Sequence, residues 1–159
     1  MVLGGTWLQI VLVEPEIPQN TGNIARTCAL TKTALHLVKP LGFSLADRFL
    51  KRAGLDYWDK VEVQLWESFG DLLEANRGAA FYLATTRAGQ AYHQVSYPQD
   101  SWLVFGRESS GLPSSILKSF PHTQIRIPMQ DIGRSLNLSN SVAIILYEAL
   151  RQNSFPGLL

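Results

Sequence analysis

The sequence predicts an α/β fold in one domain over residues 1–159, with a mainly parallel sheet flanked by helices. Two observations carry that prediction. Short apolar runs rich in β-branched residues alternate with helical segments along the chain. The apolar share is 46% of 159 residues, ample for one packed core at a length that suits one domain, and no repeat, low-complexity tract or linker divides it.

The first element is Leu8–Val13, a continuous apolar run ended by Glu14-Pro15, which reads as a buried strand. A Pro-containing loop, Glu14–Gln19, leads to a helix expected to start near Thr21–Asn23 and run to about Lys32, with Asn20 or Thr21 as its cap. A strand at Ala34–Val38 stops before Pro40, and a helix is expected over Leu45–Ala53. Next come a strand at Val61–Trp66, a helix over Ser68–Asn76 opened by a capping box at Ser68-Phe69-Gly70-Asp71, and a strand at Ala79–Thr85. Arg87–Asp100 has no clear period and reads as loop; Trp102–Phe105 is a short, fully apolar strand. A brief helix after Pro113, a strand at Ile125–Ile127, a polar loop from Pro128 to Asn137 and a helix from about Ser139 to Arg151 complete the order.

Composition narrows the function. Fourteen Lys and Arg against thirteen Asp and Glu leave a net charge of +1, which excludes a uniformly basic nucleic-acid coat. The charge is uneven, however. Residues 20–54 hold six basic groups, Arg26 among them, against Asp47 alone; residues 55–100 hold seven acidic and three basic groups. A basic face is the footprint expected for nucleic acid, and a solvated helix face is its bland alternative. Cys28 is the only cysteine and His36, His93 and His122 lie far apart, so no disulfide framework and no metal site are expected. Met1–Val13 lacks the pattern of a signal peptide, and the longest apolar run, around Val142–Tyr147, is too short to cross a bilayer. The expectation is a soluble, cytoplasmic protein with no membrane contact.

Charged residues make up only 17%, so a subunit interface is expected to hide part of the surface. The final helix is apolar around most of its circumference: Val142, Ala143, Ile144, Ile145, Leu146, Tyr147, Ala149 and Leu150. A dimer seam there is favoured over deep core burial.

Ligands in parallel α/β sheets sit beyond the carboxyl ends of the strands, which singles out three segments. Asn20-Thr21-Gly22-Asn23-Ile24-Ala25-Arg26 opens the first helix, where free amides favour an anion and Arg26 can lean back toward it. A phosphate or RNA-backbone clamp competes with a capped helix bearing a solvated Arg. Phe105-Gly106-Arg107-Glu108-Ser109-Ser110-Gly111-Leu112 is a tight loop in which two glycines bracket Glu108; a ligand-touching loop competes with a plain turn. It lacks the Gly-Lys-Ser/Thr ending of a P-loop. Ser135-Leu136-Asn137-Leu138-Ser139-Asn140 alternates small polar and apolar residues into the last helix, and Ser139 or Asn137 as N-cap explains part of that run.

In this order the three segments resemble motifs one to three of the SPOUT superfamily of S-adenosylmethionine-dependent RNA 2′-O-methyltransferases, over nearly the whole chain. Within it, Glu14-Pro15-Glu16-Ile17-Pro18-Gln19-Asn20, Arg52-Ala53-Gly54-Leu55-Asp56-Tyr57 and the short length look like the TrmL type. The resemblance implies a C-terminal trefoil knot, a homodimer through the C-terminal helix, and methylation of the ribose 2′-hydroxyl of the wobble nucleotide of tRNA, cytidine or modified uridine at position 34. It implies that Ala84, Thr85, Gly106, Ile127, Ser135 and Leu136 line the pocket for S-adenosylmethionine. Arg26, Glu108, Ser135 and Asn137 are implied as the catalytic or substrate-positioning set. Arg107 stands where many TrmL-type relatives have proline, which leaves that loop more mobile or more basic here. A guanidinium has no acceptor lone pair, so Arg26 is read as holding a phosphate and stabilising developing alkoxide charge rather than as the base. A non-catalytic RNA-binding module of the same fold is the alternative.

Overall fold

The computed structural model describes residues 7–48, 50, 52 and 57–159. Strands β1 (Gln9–Val13), β2 (Ala34–Val38), β3 (Val63–Trp66), β4 (Phe81–Ala84), β5 (Trp102–Phe105) and β6 (Gln124–Ile125) form one sheet in the order β3-β2-β1-β5-β4-β6, with every named pair parallel. The helices are α1 (Pro18–Thr31), α2 (Phe69–Ala75), α3 (Ser114–Ser119) and α4 (Leu138–Gln152), with one-turn 3-10 helices at Trp58–Lys60 and Tyr92–Gln94.

Alternation along the central strands builds three layers. Ile10, Leu12, Leu35, Leu37, Leu103 and Phe105 face one side and pack with Ile24, Cys28, Ile145 and Ala149 of α1 and α4. Val11, Val13, Val38 and Val104 face the other, against Phe69 and Leu72 of α2 and Leu112 before α3. Both faces being covered explains why β2 and β5 are apolar or buried at every position. Strand β3, at the sheet edge, has no fully buried residue.

Four sequence expectations change. Helix α1 begins at Pro18, three residues before Thr21, because proline suits the first helical position. Its N-cap is Ile17, which makes no side-chain cap; Asn20 is turned to other partners, and the buried Thr21 hydroxyl has none among the described residues. Ile127 lies beyond β6, which ends at Ile125, and the 87–100 loop contains the turn at Tyr92–Gln94 and a parallel bridge from Ala91 to Arg126. The helix expected over Leu45–Ala53 lies partly outside the described residues, as do positions 53–56 of the Arg52–Tyr57 segment. Ser68 does cap α2, accepting from the Asp71 N–H at 3.1 Å, and Asn137 caps α4.

Helix α4 resolves the competition between core and interface unevenly. Val142, Ile145, Leu146, Ala149 and Leu150 are buried, so core packing explains most of its apolar surface. Ile144 and Tyr147 are left on the outer side, with Tyr147 47% exposed and its ring 6.4 Å from that of Phe155.

One polar group interrupts the second core layer. His36 on β2 is 4% exposed and its ring lies 4.6 Å from that of Trp102. The Trp66 indole N–H donates to Nδ1 at 3.0 Å, and Nε2 meets the Gln9 side-chain oxygen Oε1 at 2.7 Å. Because an indole can only donate, the ring is neutral with its proton on Nε2. Burial pushes its pKa down to about 4 from 6.5, so the unfolded chain takes up the proton first. Stability is therefore full above the unfolded pKa and falls as pH drops from 6.5 toward 4, by about 3 kcal/mol. His36→Gln, which keeps a donor and an acceptor without titrating, should flatten this part of a urea-midpoint profile. Parallel profiles for the two proteins would show that His36 is not the sensor.

Candidate active site

The strand order reverses between β1 and β5, and at such a switch point the loops leaving the two strands diverge and open a crevice. A cavity of about 1440 Å³ lies there. The loops after β1, β4, β5 and β6 and the start of α4 line it. All six residues expected at the cofactor, Ala84, Thr85, Gly106, Ile127, Ser135 and Leu136, are in its wall, as are Glu108, Asn137 and Asn20.

Loop 106–111 is held tightly. Arg107 and Gly111 exchange backbone hydrogen bonds at 3.1 and 2.9 Å, and Gly111 has φ +69. A Cβ on Gly106 would lie 2.1 Å from the Gly111 carbonyl carbon, so only glycine allows the loop to fold back on its own start.

Glu108 is fully engaged. Its Oε2 accepts from the Glu16 backbone N–H at 2.8 Å, and its Oε1 from the Ile17 N–H at 3.0 Å and the Asn20 side-chain amide at 3.3 Å. A carboxylate at these amides complements the positive end of α1 and supplies the cap that Ile17 lacks. Asn20 passes the connection on, its Oδ1 accepting from the Asn137 amide at 3.1 Å. Asn137 Oδ1 in turn accepts from the Ser139 N–H at 2.9 Å and the Asn140 N–H at 3.4 Å at the start of α4. All three sequence segments thus meet in one relay, Glu108–Asn20–Asn137, and Glu108 and Asn137 spend their hydrogen-bonding capacity holding loops. Ser135 is exposed at the cavity and, among the described residues, makes no hydrogen bond.

Arg26 is elsewhere. It does not line the cavity. Six residues beyond Asn20 on α1, it is displaced about 9 Å along the axis and about 240° around it. Its guanidinium lies over the Tyr57 ring, 4.8 Å from the centroid. The anion site expected at the helix start is likewise occupied by Glu108, and Gly22 is buried inside α1.

Residues 7–147 match the model of the SpoU rRNA Methylase family. The chain belongs to that family. It is 48% identical to the tRNA (cytidine(34)-2'-O)-methyltransferase of Escherichia coli K12 over 94% of this chain and 96% of that protein. A protein of the same name from Methylovorus glucosotrophus is 49% identical, over 93% and 97%. A structure solved for the 2-OH methylation of C/U34 on tRNA superposes with a TM-score of 0.88 at 45% identity, over 92% of this chain and 96% of that one.

Within this SpoU site, Arg107 neither loosens the loop nor adds free charge. It pairs with Glu14, its Nε donating to Oε2 at 2.6 Å and its Nη2 to the same oxygen, while the Ser109 hydroxyl donates to Glu16 at 2.6 Å. Glu14 adopts φ +54 at the turn out of β1. The pair is partly exposed, so Glu14→Gln should raise the cofactor Kd by less than about fivefold. A loss of cofactor binding in calorimetry would mean that the pair, not the backbone bonds, holds the loop.

Three lining residues, Ile125, Arg126 and Ile145, fall outside the segments that the sequence singles out. Ile125 and Ile145 read simply as core. Arg126 follows β6 directly, so the rule that ligands sit beyond strand ends was the signal that could have found it.

Proposed function

We propose that this protein transfers a methyl group from S-adenosylmethionine to the ribose 2′-hydroxyl of the wobble nucleotide of tRNA, cytidine or modified uridine at position 34. The observation that carries the reading is the meeting of the three motif segments at one cavity, Asn20, Glu108 and Asn137 all in its wall, at the switch point of the sheet. Full-length likeness to relatives named for that reaction supports it. The lining suits the cofactor: Leu112, Ile125, Ile127 and Leu138 offer apolar faces for a flat purine, and Gly106 brings no side chain into the space. At about 1440 Å³ the cavity exceeds the roughly 300–1,000 Å³ of a site for one small ligand, which leaves room for the ribose. When bound, the cofactor supplies an electrophilic methyl group.

The residues then divide by what they touch. Ser135, with its hydroxyl unengaged, faces cofactor and ribose, and Asn137 and Glu108 hold the loops around them. Arg26 holds an RNA phosphate and stabilises charge developing on the ribose oxygen. Because Arg26 and the cavity are apart within one chain, the reading includes a homodimer through the C-terminal helix, in which Arg26 of one copy serves the cavity of the other. The outward Ile144 and Tyr147, with Leu30 of α1 at 59% exposure, support that seam. The reading also includes a C-terminal trefoil knot, supported by the pinning of the last segment to the 85–101 loop: Arg126 to Gln90 and Tyr92, Gln152 to Val95 and Tyr97. It places the protein in the cytoplasm, where tRNA is modified.

The test incubates purified protein with methyl-labelled cofactor and tRNA and locates the label by mass spectrometry after nuclease digestion. Label on the ribose of nucleotide 34 is expected. Label on a base refutes the 2′-O assignment, and salt-sensitive tRNA binding with no cofactor heat favours the RNA-binding module.

A further inference from the structure

Arg26 is exposed on α1 and, among the described residues, its guanidinium has neither a hydrogen bond nor an ion pair. An unpartnered arginine samples many rotamers, whereas stabilising charge on one oxygen requires one of them. The Tyr57 ring supplies the missing constraint, with the guanidinium carbon 4.8 Å from its centroid and well within the ~6 Å range of a cation–π contact. The fold fixes the backbone that carries the ring. Tyr57 opens the 3-10 turn at Trp58–Lys60, its carbonyl accepts from the Lys60 N–H at 2.9 Å, and Trp58 and Val61 pack against the core layer of α1. A ring is also the partner that orients a guanidinium without neutralising it. A carboxylate in its place would take two donors in a bidentate pair and cancel the charge.

We infer that Tyr57 is a positioning residue for methyl transfer, whose ring holds the Arg26 guanidinium in place while leaving its charge available to the RNA. This rests on Arg26 acting on the substrate as proposed above. The experiment compares kcat and KM for tRNA, and the cofactor Kd, in the full-length protein and in Tyr57→Leu, Tyr57→Phe, Arg26→Ala and the double variant Arg26→Ala with Tyr57→Leu. Tyr57→Leu should lower kcat roughly three- to thirtyfold with the cofactor Kd unchanged, and Tyr57→Phe should recover most of that loss. In the Arg26→Ala background, Tyr57→Leu should add nothing. A wild-type rate in Tyr57→Leu, or an undiminished further loss in the double variant, overturns the inference while leaving Arg26 its role. Full activity in Arg26→Ala overturns the reading beneath it. Should Tyr57→Leu lose the cofactor as well, the Arg26 Nε proton in the unsubstituted protein, assigned by its disappearance in Arg26→Lys, decides the matter. An upfield ring-current shift sustains the contact and an unshifted resonance overturns it.

Discussion

Replacing Arg26 with alanine is expected to lower kcat for tRNA methylation roughly a hundred- to a thousandfold, the loss that follows removal of one donor aimed at developing charge. Cofactor affinity should not change. Arg26 lies outside the cavity wall, and neither loop 106–111 nor the Glu108–Asn20–Asn137 relay uses it. The expected signature is a split between the two measurements: unchanged heat of cofactor binding and nearly absent methyl transfer. Mixing adds a second readout. Arg26→Ala protomers combined with Ser135→Ala protomers, after exchange of subunits, should regain activity that neither variant shows alone, because one composite site in each mixed dimer is intact. If the mixture stays inactive while mixed dimers form, Arg26 serves the cavity of its own chain.

The second large effect is expected from Gly106→Ala. A single methyl group is a small change, but here the new carbon would sit 2.1 Å from the Gly111 carbonyl carbon and 2.2 Å from the Leu112 nitrogen. These are backbone atoms, which no rotamer change can move aside. Loop 106–111 must therefore open and break its two Arg107–Gly111 hydrogen bonds. The carboxylate of Glu108 would then move off the amides of Glu16 and Ile17. We expect a stability loss of about 3 kcal/mol, the upper end of ordinary overpacking, together with loss of cofactor binding. A denaturant titration and calorimetry check the two parts. Gly89→Ala is the internal control, since nothing lies within 4 Å of its Cβ. Equal behaviour of the two variants would mean that the close approach at Gly106 is not what shapes the cavity.

Much of this architecture was legible in the residues, for identifiable reasons. Strands β2 and β5 were found at their observed limits because they are buried on both faces and end at a proline and a glycine. The loops that line the cavity were legible because they follow strand ends in an α/β sheet, whereas the individual residues expected in its wall came from the family resemblance. The start of α1 was not legible, because its cap comes from Glu108 rather than from any neighbour. The partners of Glu108 were not legible for the same reason: its three donors, the Glu16 and Ile17 N–H groups and the Asn20 amide, lie about ninety residues earlier in the chain. The separation of Arg26 from Asn20 followed from helical geometry alone, had the helix been placed to start at Pro18.

The capping of α1 from so far along the chain bears on how the protein is made. The bond from Glu16 to Glu108 spans 92 residues and that from Asn137 to Asn20 spans 117. At roughly 5–20 residues per second of synthesis, the start of the first helix leaves the ribosome roughly 5–18 s before the carboxylate that will cap it. The active-site loops are thus among the last contacts to form, on a topology rich in distant pairings that fold slowly. A chain truncated before residue 108 lacks the cap altogether, so ribosome stalling or proteolysis in that interval yields a fragment with no means of closing its own cavity.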